Sequence, residues 1–186
     1  MPAIAGSWHI DVPCNRLLEE QQDYNIRELA TTVAHNLQLF NNDQKQIYDI
    51  TMDSVTKDKK IFLFLHSAGG CGKTFVCNTI AAAVCAQRKI ALSAASSGIA
   101  ALLLEGGHTA HSTFHIPIEI NEASSCKIPI GSDLHQLLEQ TSTIIWDEVP
   151  MQHKYATNAV ECTLCDLKKI LHPFGGITVL FGGVTH

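Results

Sequence analysis

The sequence predicts an α/β domain in which a parallel sheet carries helices on both faces, preceded by a short helical arm. From residue 60 onward, short apolar β-rich runs alternate with helical stretches, which is typical of a parallel sheet buried on both faces. The chain of 186 residues, 46% hydrophobic and 17% charged, suffices for one compact domain with an arm. We therefore expect a partly helical arm over residues 1–38 and the domain over residues 39–186.

The individual elements follow from local patterns. In the arm, Asn15 is a suitable N-cap, and apolar residues recur at loosely helical spacing from Leu17 to Leu37. A helical run over residues 43–56 follows the start signal at Asn41. Residues 105–131, with several glycines and prolines, are expected to form a long loop that is functional or mobile. Strands are predicted over residues 60–65, 89–93, 143–146 and 177–181, and helices over residues 73–86, 96–104, 133–140 and 152–171.

Composition narrows the classes of partner. A net charge of −5 gives no bulk attraction to nucleic acid, so any DNA contact has to be local. The seven cysteines are an odd, scattered set without a secretory leader, so we expect unpaired thiols in a reduced intracellular compartment. No run approaches the roughly 20 apolar residues of a membrane span, and we expect no membrane association.

The strongest chemical signal is a glycine-rich turn between the first strand and an alanine-rich helix, Ser67-Ala68-Gly69-Gly70-Cys71-Gly72-Lys73-Thr74. Glycines let backbone N–H groups point at a phosphate, while Lys73 reaches the β and γ oxygens and Thr74 offers a hydroxyl to Mg²⁺. Ser67 stands where the motif has its first glycine, but that position only begins the turn. The alternative is a glycine turn that only caps a helix; Gly-Lys-Thr directly after an apolar strand favours the phosphate loop.

A second signal follows the predicted strand over residues 143–146, which ends in two adjacent carboxylates, Asp147 and Glu148. P-loop NTPases place an aspartate on Mg²⁺ and a glutamate near the attacking water in this way. An Asp-Glu pair after a strand is a weak signal by itself, because most such pairs are solvated strand ends. Together with the phosphate loop it predicts a site for a nucleotide and Mg²⁺.

These motifs resemble, in order, those of the petite integration frequency (PIF) family of DNA helicases in superfamily 1, which includes the helicase part of Helitron transposons. The phosphate loop followed by Phe75 is similar to motif I, and residues 144–151 resemble motif II almost residue by residue. The remaining matches are residues 94–103 with motif Ia, residues 109–114 with the next segment, and Leu39, Asn41 and Gln44 with the upstream glutamine motif.

The resemblance implies a RecA-like P-loop NTPase domain that binds ATP and Mg²⁺ and supports 5′-to-3′ DNA unwinding in repair, recombination and telomere maintenance. It implies that Gln44 hydrogen-bonds adenine, that Asp147 ligates Mg²⁺ through water with Thr74 as the other ligand, and that Glu148 positions or activates water. The implied cofactor-binding set is Gln44, Gly69, Gly70, Cys71, Gly72, Lys73 and Thr74, the catalytic set is Lys73, Asp147 and Glu148, and the single-stranded DNA contacts are Ser96, Ser97, Gly98, Thr109, His111 and Ser112. For Ser96 and Ser97, a helix N-cap is an equal alternative.

The chain departs from the family pattern after Gly183. The family continues with aspartate, phenylalanine, arginine and glutamine, whereas Val184, Thr185 and His186 follow here. We expect the second RecA-like domain to be absent and, with it, the arginine finger, which contributes about 10³ to 10⁵ in rate. We therefore expect a monomer that binds MgATP better than it hydrolyses it, binds single-stranded DNA weakly and unwinds no duplex alone, in the nucleus or, alternatively, the mitochondrion. The alternative function is a non-catalytic nucleic-acid- or partner-binding remnant of a transposon helicase.

Three cysteine and histidine patterns are expected to be structural. Cys162-x-x-Cys165 has zinc spacing, but no second pair follows and both residues lie in a predicted helix. His108 and His115 have no nearby carboxylate partner for a metal, and His111 belongs to the family segment. For Cys71 a small filler residue is the favoured interpretation, and an oxidation-sensitive thiol is the alternative.

Overall fold

The strands form one parallel sheet. The computed structural model describes residues 15–183, with strands β1 Phe62–His66, β2 Ile90–Ala95, β3 His108–Thr109, β4 Thr141–Asp147 and β5 Thr178–Gly183. Their order in the sheet is β1-β5-β4-β2-β3, and every neighbouring pair is parallel. The carboxyl ends of all five strands therefore meet at one edge of the sheet, where ligands bind in open α/β folds.

Helices cover both faces of this sheet, which confirms the predicted fold class. Alternate residues of a strand enter opposite cores: Ile145 of β4 lies in one hydrophobic cluster, and its neighbours Ile144 and Trp146 lie in the other. Two short 3₁₀ helices, Val149–Met151 and Pro173–Gly176, complete the elements. The α-helices are α1 Arg16–Glu20, α2 Ile26–Leu39, α3 Asn42–Lys57, α4 Lys73–Ala86, α5 Gly98–Leu103, α6 Ala110–Phe114, α7 Asp133–Gln140 and α8 Lys154–Lys168.

The first face is built around α4, the helix that follows the phosphate loop. The run from Thr79 to Cys85 is buried throughout, and its three consecutive alanines let both the sheet and α2 approach the helix backbone closely. Asn36 of α2 donates from Nδ2 to the Thr79 hydroxyl at 3.1 Å. A helix packed on two sides gives the phosphate loop a rigid base.

The second face has an aromatic core. Trp146 is fully buried and packs against Phe114 and Phe181, with ring centroids 5.4 Å and 5.6 Å apart. Phe174 packs edge-on against Phe181 at 5.6 Å. Because Trp146 directly precedes Asp147, this core fixes the end of β4 and the carboxylate that leaves it.

Most predicted elements lie where the sequence placed them, with boundaries set by individual backbone torsions. The helix predicted over residues 73–86 has those bounds in the structure. The first strand was predicted from Lys60, but that residue has φ +54°, which a strand does not accommodate, and β1 begins at Phe62. The last helix was predicted to Leu171 but ends at Lys168, because Lys169 adopts the left-handed conformation.

The prediction of one long loop over residues 105–131 was wrong in part. It contains the two-residue strand β3 and the helix α6. The rest is tied to the second core, since Ile116 and Cys126 are buried and the Cys126 N–H donates to the Thr163 hydroxyl at 2.9 Å.

The arm prediction falls partly on residues 1–14, which lie outside the described residues. Within the described part, Leu17 of α1 packs against the second core, and α2 continues to Leu39 and packs on α4. The predicted boundary between residues 38 and 39 therefore falls at the last residue of α2.

Candidate functional site

The glycine-rich turn forms a loop that closes around the ammonium of Lys73. β1 ends at His66 and α4 begins at Lys73, so the loop joins a strand to a helix as predicted. Gly70 and Gly72 both have φ +78°, a conformation that favours glycine. Lys73 Nζ donates to the carbonyl oxygens of Ser67 at 3.0 Å and Ala68 at 3.1 Å. The charge therefore lies inside the turn, where a phosphate would meet it.

Ser67 is compatible with this geometry. It is not among the non-glycine residues with positive φ, so its side chain creates no backbone strain. Its contribution to Lys73 is a backbone oxygen, which any residue supplies. The two positions that need glycine torsions, Gly70 and Gly72, are glycines.

Gln44 lies against the loop from the amino end of α3. It completes a capping box with Asn41: Gln44 N donates to Asn41 Oδ1 at 2.9 Å, and Asn41 N donates to Gln44 Oε1 at 3.1 Å. Gln44 Nε2 also donates to the Cys71 carbonyl at 3.1 Å. Helix capping thus orients an amide group beside the phosphate loop, a contact 27 residues apart in sequence.

The two carboxylates end β4, as the sequence predicted. Asp147 is 7% exposed, and its Oδ1 accepts from Glu148 N at 2.8 Å. Glu148 has φ +55°, an uncommon backbone conformation for a non-glycine residue, and its carboxylate is half-buried. Strained backbone at a strand end is often found at functional sites.

Gly182 of β5 makes room for Asp147. A Cβ at Gly182 would lie 2.3 Å from Asp147 Oδ1 and 3.3 Å from its Cα. The sequence prediction did not single out this residue, although a glycine inside a strand is a signal for close approach of another group. A side chain here would displace the carboxylate.

The phosphate loop and the carboxylates lie on either side of the end of β5. β5 pairs with β1 through Leu65 and Gly182, and with β4 through Trp146 and Phe181. The pKa of the Cys77 thiol is raised to about 12, mainly by burial and to a smaller extent by the charge of Asp147, while the charge of Lys73 opposes the increase. The loop after β1 and the carboxylates after β4 thus flank one strand, β5, as expected of two halves of one site.

The segments implied to contact DNA lie at the same edge, after β2 and β3. Ala95 of β2 pairs with Thr109 on one side and Asp147 on the other. Thr109 caps α6 by accepting from Ser112 N at 3.3 Å, and His111 Nδ1 lies 3.4 Å from Gln152 Nε2. Their role in DNA binding stays a prediction.

Ser97 has both an N-cap role and a contact with the carboxylate pair. Its hydroxyl accepts from Ala100 N at 3.2 Å, which is the N-cap alternative, and donates to Glu148 Oε2 at 2.7 Å. The second contact joins residues 51 positions apart, and no sequence signal indicated it.

The remaining cysteines and histidines form no assembled site in the described part of the chain. Between residues 15 and 183, no group of three or more His, Cys, Asp or Glu side chains is arranged to hold a metal ion. Cys162 is exposed on α8, and Cys165 donates from Sγ to the His172 carbonyl at 3.2 Å. Cys71 is exposed and unpaired. No helix among these residues is both long and apolar enough to cross a bilayer.

Comparisons with known proteins converge on one family. The family model for PIF1-like helicases matches residues 39–185. The ATP-dependent DNA helicase Pif1 of Psychrobacter sp. (strain PRwf-1) is 33% identical over 123 residues, and the ATP-dependent DNA helicase PIF4 of Trypanosoma brucei brucei is 34% identical over 129 residues. Both alignments cover 65% of this chain but only 18% and 15% of the relatives, so the chain spans less than a fifth of their length.

A solved structure agrees with these relatives. The crystal structure of Pif1 helicase from Bacteroides in complex with ADP-AlF3 and single-stranded DNA matches with a TM-score of 0.62 at 25% identity. The match covers 77% of this chain and 32% of that one.

Proposed function

Because the chain belongs to the PIF1-like helicase family, we propose that it forms the ATP- and Mg²⁺-binding domain of an ATP-dependent DNA helicase. The observation that carries the proposal is that the loop closed by Lys73 follows β1 and that Asp147 ends β4, so the two lie on either side of the end of β5. A cation in a phosphate loop opposite a strand-end carboxylate is the minimal arrangement for a nucleotide with its metal.

The adenine role of Gln44 is compatible with its contacts. A glutamine amide has two N–H donors and two acceptor lone pairs. One donor serves the Cys71 carbonyl and one lone pair serves Asn41 N, so one donor and one acceptor remain. The adenine edge offers a matching acceptor and donor, and we propose that Gln44 binds there while keeping its contact with the loop.

The Mg²⁺ ligands we propose are the Thr74 hydroxyl and the Asp147 carboxylate. Both are hard oxygen donors, and Mg²⁺ in nucleotide sites is usually held by one or two carboxylates together with the substrate phosphates. Asp147 Oδ1 is engaged by Glu148 N, so Oδ2 is the oxygen we assign to the ion or its water. Bound Mg²⁺ would neutralise charge on the phosphates, while Glu148 orients the attacking water.

Single-stranded DNA is the proposed partner, contacted by residues 96–98 and 109–112 at the carboxyl edge of the sheet. Small hydroxyl side chains suit phosphate contacts and need no net positive charge. The Bacteroides relative binds single-stranded DNA. Unwinding in the 5′-to-3′ direction, roles in repair, recombination and telomere maintenance, and a nuclear or mitochondrial location are the wider proposals that the family suggests.

Nucleotide binding tests the proposal directly. We expect Lys73→Ala to weaken binding of a fluorescent ATP analogue in the presence of Mg²⁺ by about 10-fold or more, because a charge-assisted hydrogen bond to phosphate contributes roughly 1.5–3 kcal/mol. Lys127→Ala, which removes an exposed lysine from the segment between α6 and α7, is the matched control and should bind like the unmodified chain. Equal affinities in the Lys73→Ala and unmodified chains would reject the proposal. Steady ATP turnover that single-stranded DNA stimulates would reject the non-catalytic alternative.

A further inference from the structure

Three hydrogen bonds join the segment after β2 to the carboxylate pair after β4. Ser96 donates to the Asp147 carbonyl twice, from N at 3.1 Å and from Oγ at 3.4 Å. The Ser97 hydroxyl donates to Glu148 Oε2 at 2.7 Å. Residues 96–97 and 147–148 are therefore joined by hydrogen bonds, so a ligand that repositions the first pair would act on the second.

The Ser97 hydroxyl has one proton, and that proton is committed. A serine hydroxyl donates once and accepts with its lone pairs. The acceptor side takes the N–H of Ala100, and the donor side serves Glu148. Both residues are half-buried, and at 2.7 Å to a carboxylate this contact belongs to the stronger class of hydrogen bonds. The hydroxyl can donate to another acceptor only if its hydrogen bond to Glu148 is broken.

Apart from the Ser97 contact, the Glu148 carboxylate can move only by rotation about its side-chain torsions. Its backbone is held by the bond from Glu148 N to Asp147 Oδ1 at 2.8 Å and by φ of +55°. The contact with Ser97 restrains these torsions and holds the carboxylate beside α5. Ser97 thus decides where the carboxylate lies.

We propose that Ser97 is a positioning residue that couples single-stranded DNA to Glu148. Without DNA, its hydroxyl holds the carboxylate beside α5. When a phosphodiester of the bound strand accepts the hydrogen bond from the Ser97 hydroxyl, the Glu148 carboxylate loses that bond and turns towards the nucleotide. The inference rests on the proposed function, because it takes Glu148 as the residue that orients water and residues 96–98 as a DNA contact. It adds that Glu148 and DNA compete for one hydrogen-bond donor, the Ser97 hydroxyl.

A double-mutant cycle on DNA binding tests the competition. Affinity for a fluorescein-labelled oligo(dT) is measured by anisotropy for the 186-residue chain and for Glu148→Ala, Ser97→Ala and the double variant. Removing Glu148 frees the Ser97 proton, so we expect Glu148→Ala to tighten binding about threefold to tenfold when Ser97 is present, the upper value matching a charge-assisted hydrogen bond. In the Ser97→Ala background, Glu148→Ala should increase affinity only slightly, by removing the repulsion between the carboxylate and the DNA phosphates.

Two further variants separate positioning from helix capping. Ser97→Thr keeps a hydroxyl and should restore the gain. Ser132→Ala removes the N-cap hydroxyl of α7, which accepts from His135 N at 3.2 Å, and should leave the gain unchanged although it also loses a cap. The inference is overturned if Glu148→Ala increases oligo(dT) affinity equally with and without Ser97. It is also overturned if the unmodified chain binds no oligo(dT).

MgATP binding by the same variants distinguishes failure of the inference from failure of the proposed function. If Ser97→Ala binds MgATP normally, Lys73→Ala does not, and the cycle shows no coupling, the proposed function stands and the Ser97 role falls. If the unmodified chain binds no MgATP, both fall.

Discussion

The two halves of the candidate site are held in opposite ways. In the phosphate loop, Gly69 and Gly70 are exposed, and a Cβ at either would meet no heavy atom within 4 Å. At the end of β4, Asp147 is buried, and a Cβ at Gly182 would lie 2.3 Å from its Oδ1. The loop is therefore shaped by backbone torsions and leaves space for a ligand, whereas the carboxylate is positioned by packing. Substitutions should affect the first half through ligand binding and the second through stability.

Trp146→Ala should have the largest effect, because it removes the core beneath Asp147. Trp146 is fully buried between Phe114 and Phe181, and truncating a buried aromatic residue costs about 3–5 kcal/mol of unfolding free energy. The matched variant on the loop side is Phe75→Ala, whose half-buried ring packs on Phe40 at 5.4 Å. Urea denaturation should show the smaller loss for Phe75→Ala; equal losses would contradict the proposed difference between the halves.

Gly182→Ala and Gly69→Ala compare the same change on the two sides. At Gly182 the methyl group meets the Asp147 carboxylate and backbone, and overpacking a buried position costs about 1–3 kcal/mol. At Gly69 the methyl group meets nothing and φ is not positive, so the change should stay within about 0.5 kcal/mol. Unfolding free energies measure both. A Gly69→Ala chain destabilised as much as Gly182→Ala would refute the idea that only the carboxylate side is tightly packed.

Gly72→Ala should have an intermediate effect with two separable causes. Its φ of +78° disfavours a side chain by roughly 1 kcal/mol. A Cβ there would also lie 2.8 Å from Gln44 Nε2, the end of a flexible side chain. In a Gln44→Ala background the contact disappears and the torsional cost remains. The difference between the two backgrounds, measured by urea denaturation, gives the steric part, and no difference would mean that Gln44 moves away freely.

The sequence predicted the elements that local chemistry defines. The helix over residues 73–86 was predicted with its observed bounds, because a glycine turn starts it and a continuous apolar run fills it. The strand β3 and helix α6 were missed, since two and five residues are too few to show a period. The start of β1 depended on the left-handed torsion of Lys60, which nothing in the local pattern indicates.

For the candidate site, the sequence suggested residues but not the contacts between them. Motif and spacing singled out Lys73, Asp147 and Glu148 as candidates, because the chemistry proposed for them requires fixed neighbours along the chain. The contacts of Gln44 with Cys71 and of Ser97 with Glu148 join residues 27 and 51 positions apart. The first contact depends on how α3 packs against the loop, and the second on the pairing of β2 with β4. The sequence pattern alone determines neither.

Ser67→Gly should have the smallest effect, although it restores the usual first glycine of the motif. Ser67 is not in a positive-φ conformation, so glycine relieves no strain and instead lowers stability by about 0.5 kcal/mol through the greater freedom of the unfolded chain. Its carbonyl, which accepts from Lys73 Nζ at 3.0 Å, is retained, so MgATP affinity should stay within about twofold. A glycine variant that binds MgATP more than about fivefold tighter would show that the serine side chain restricts the loop, and with it that the phosphate half is shaped by packing as well as by backbone torsions.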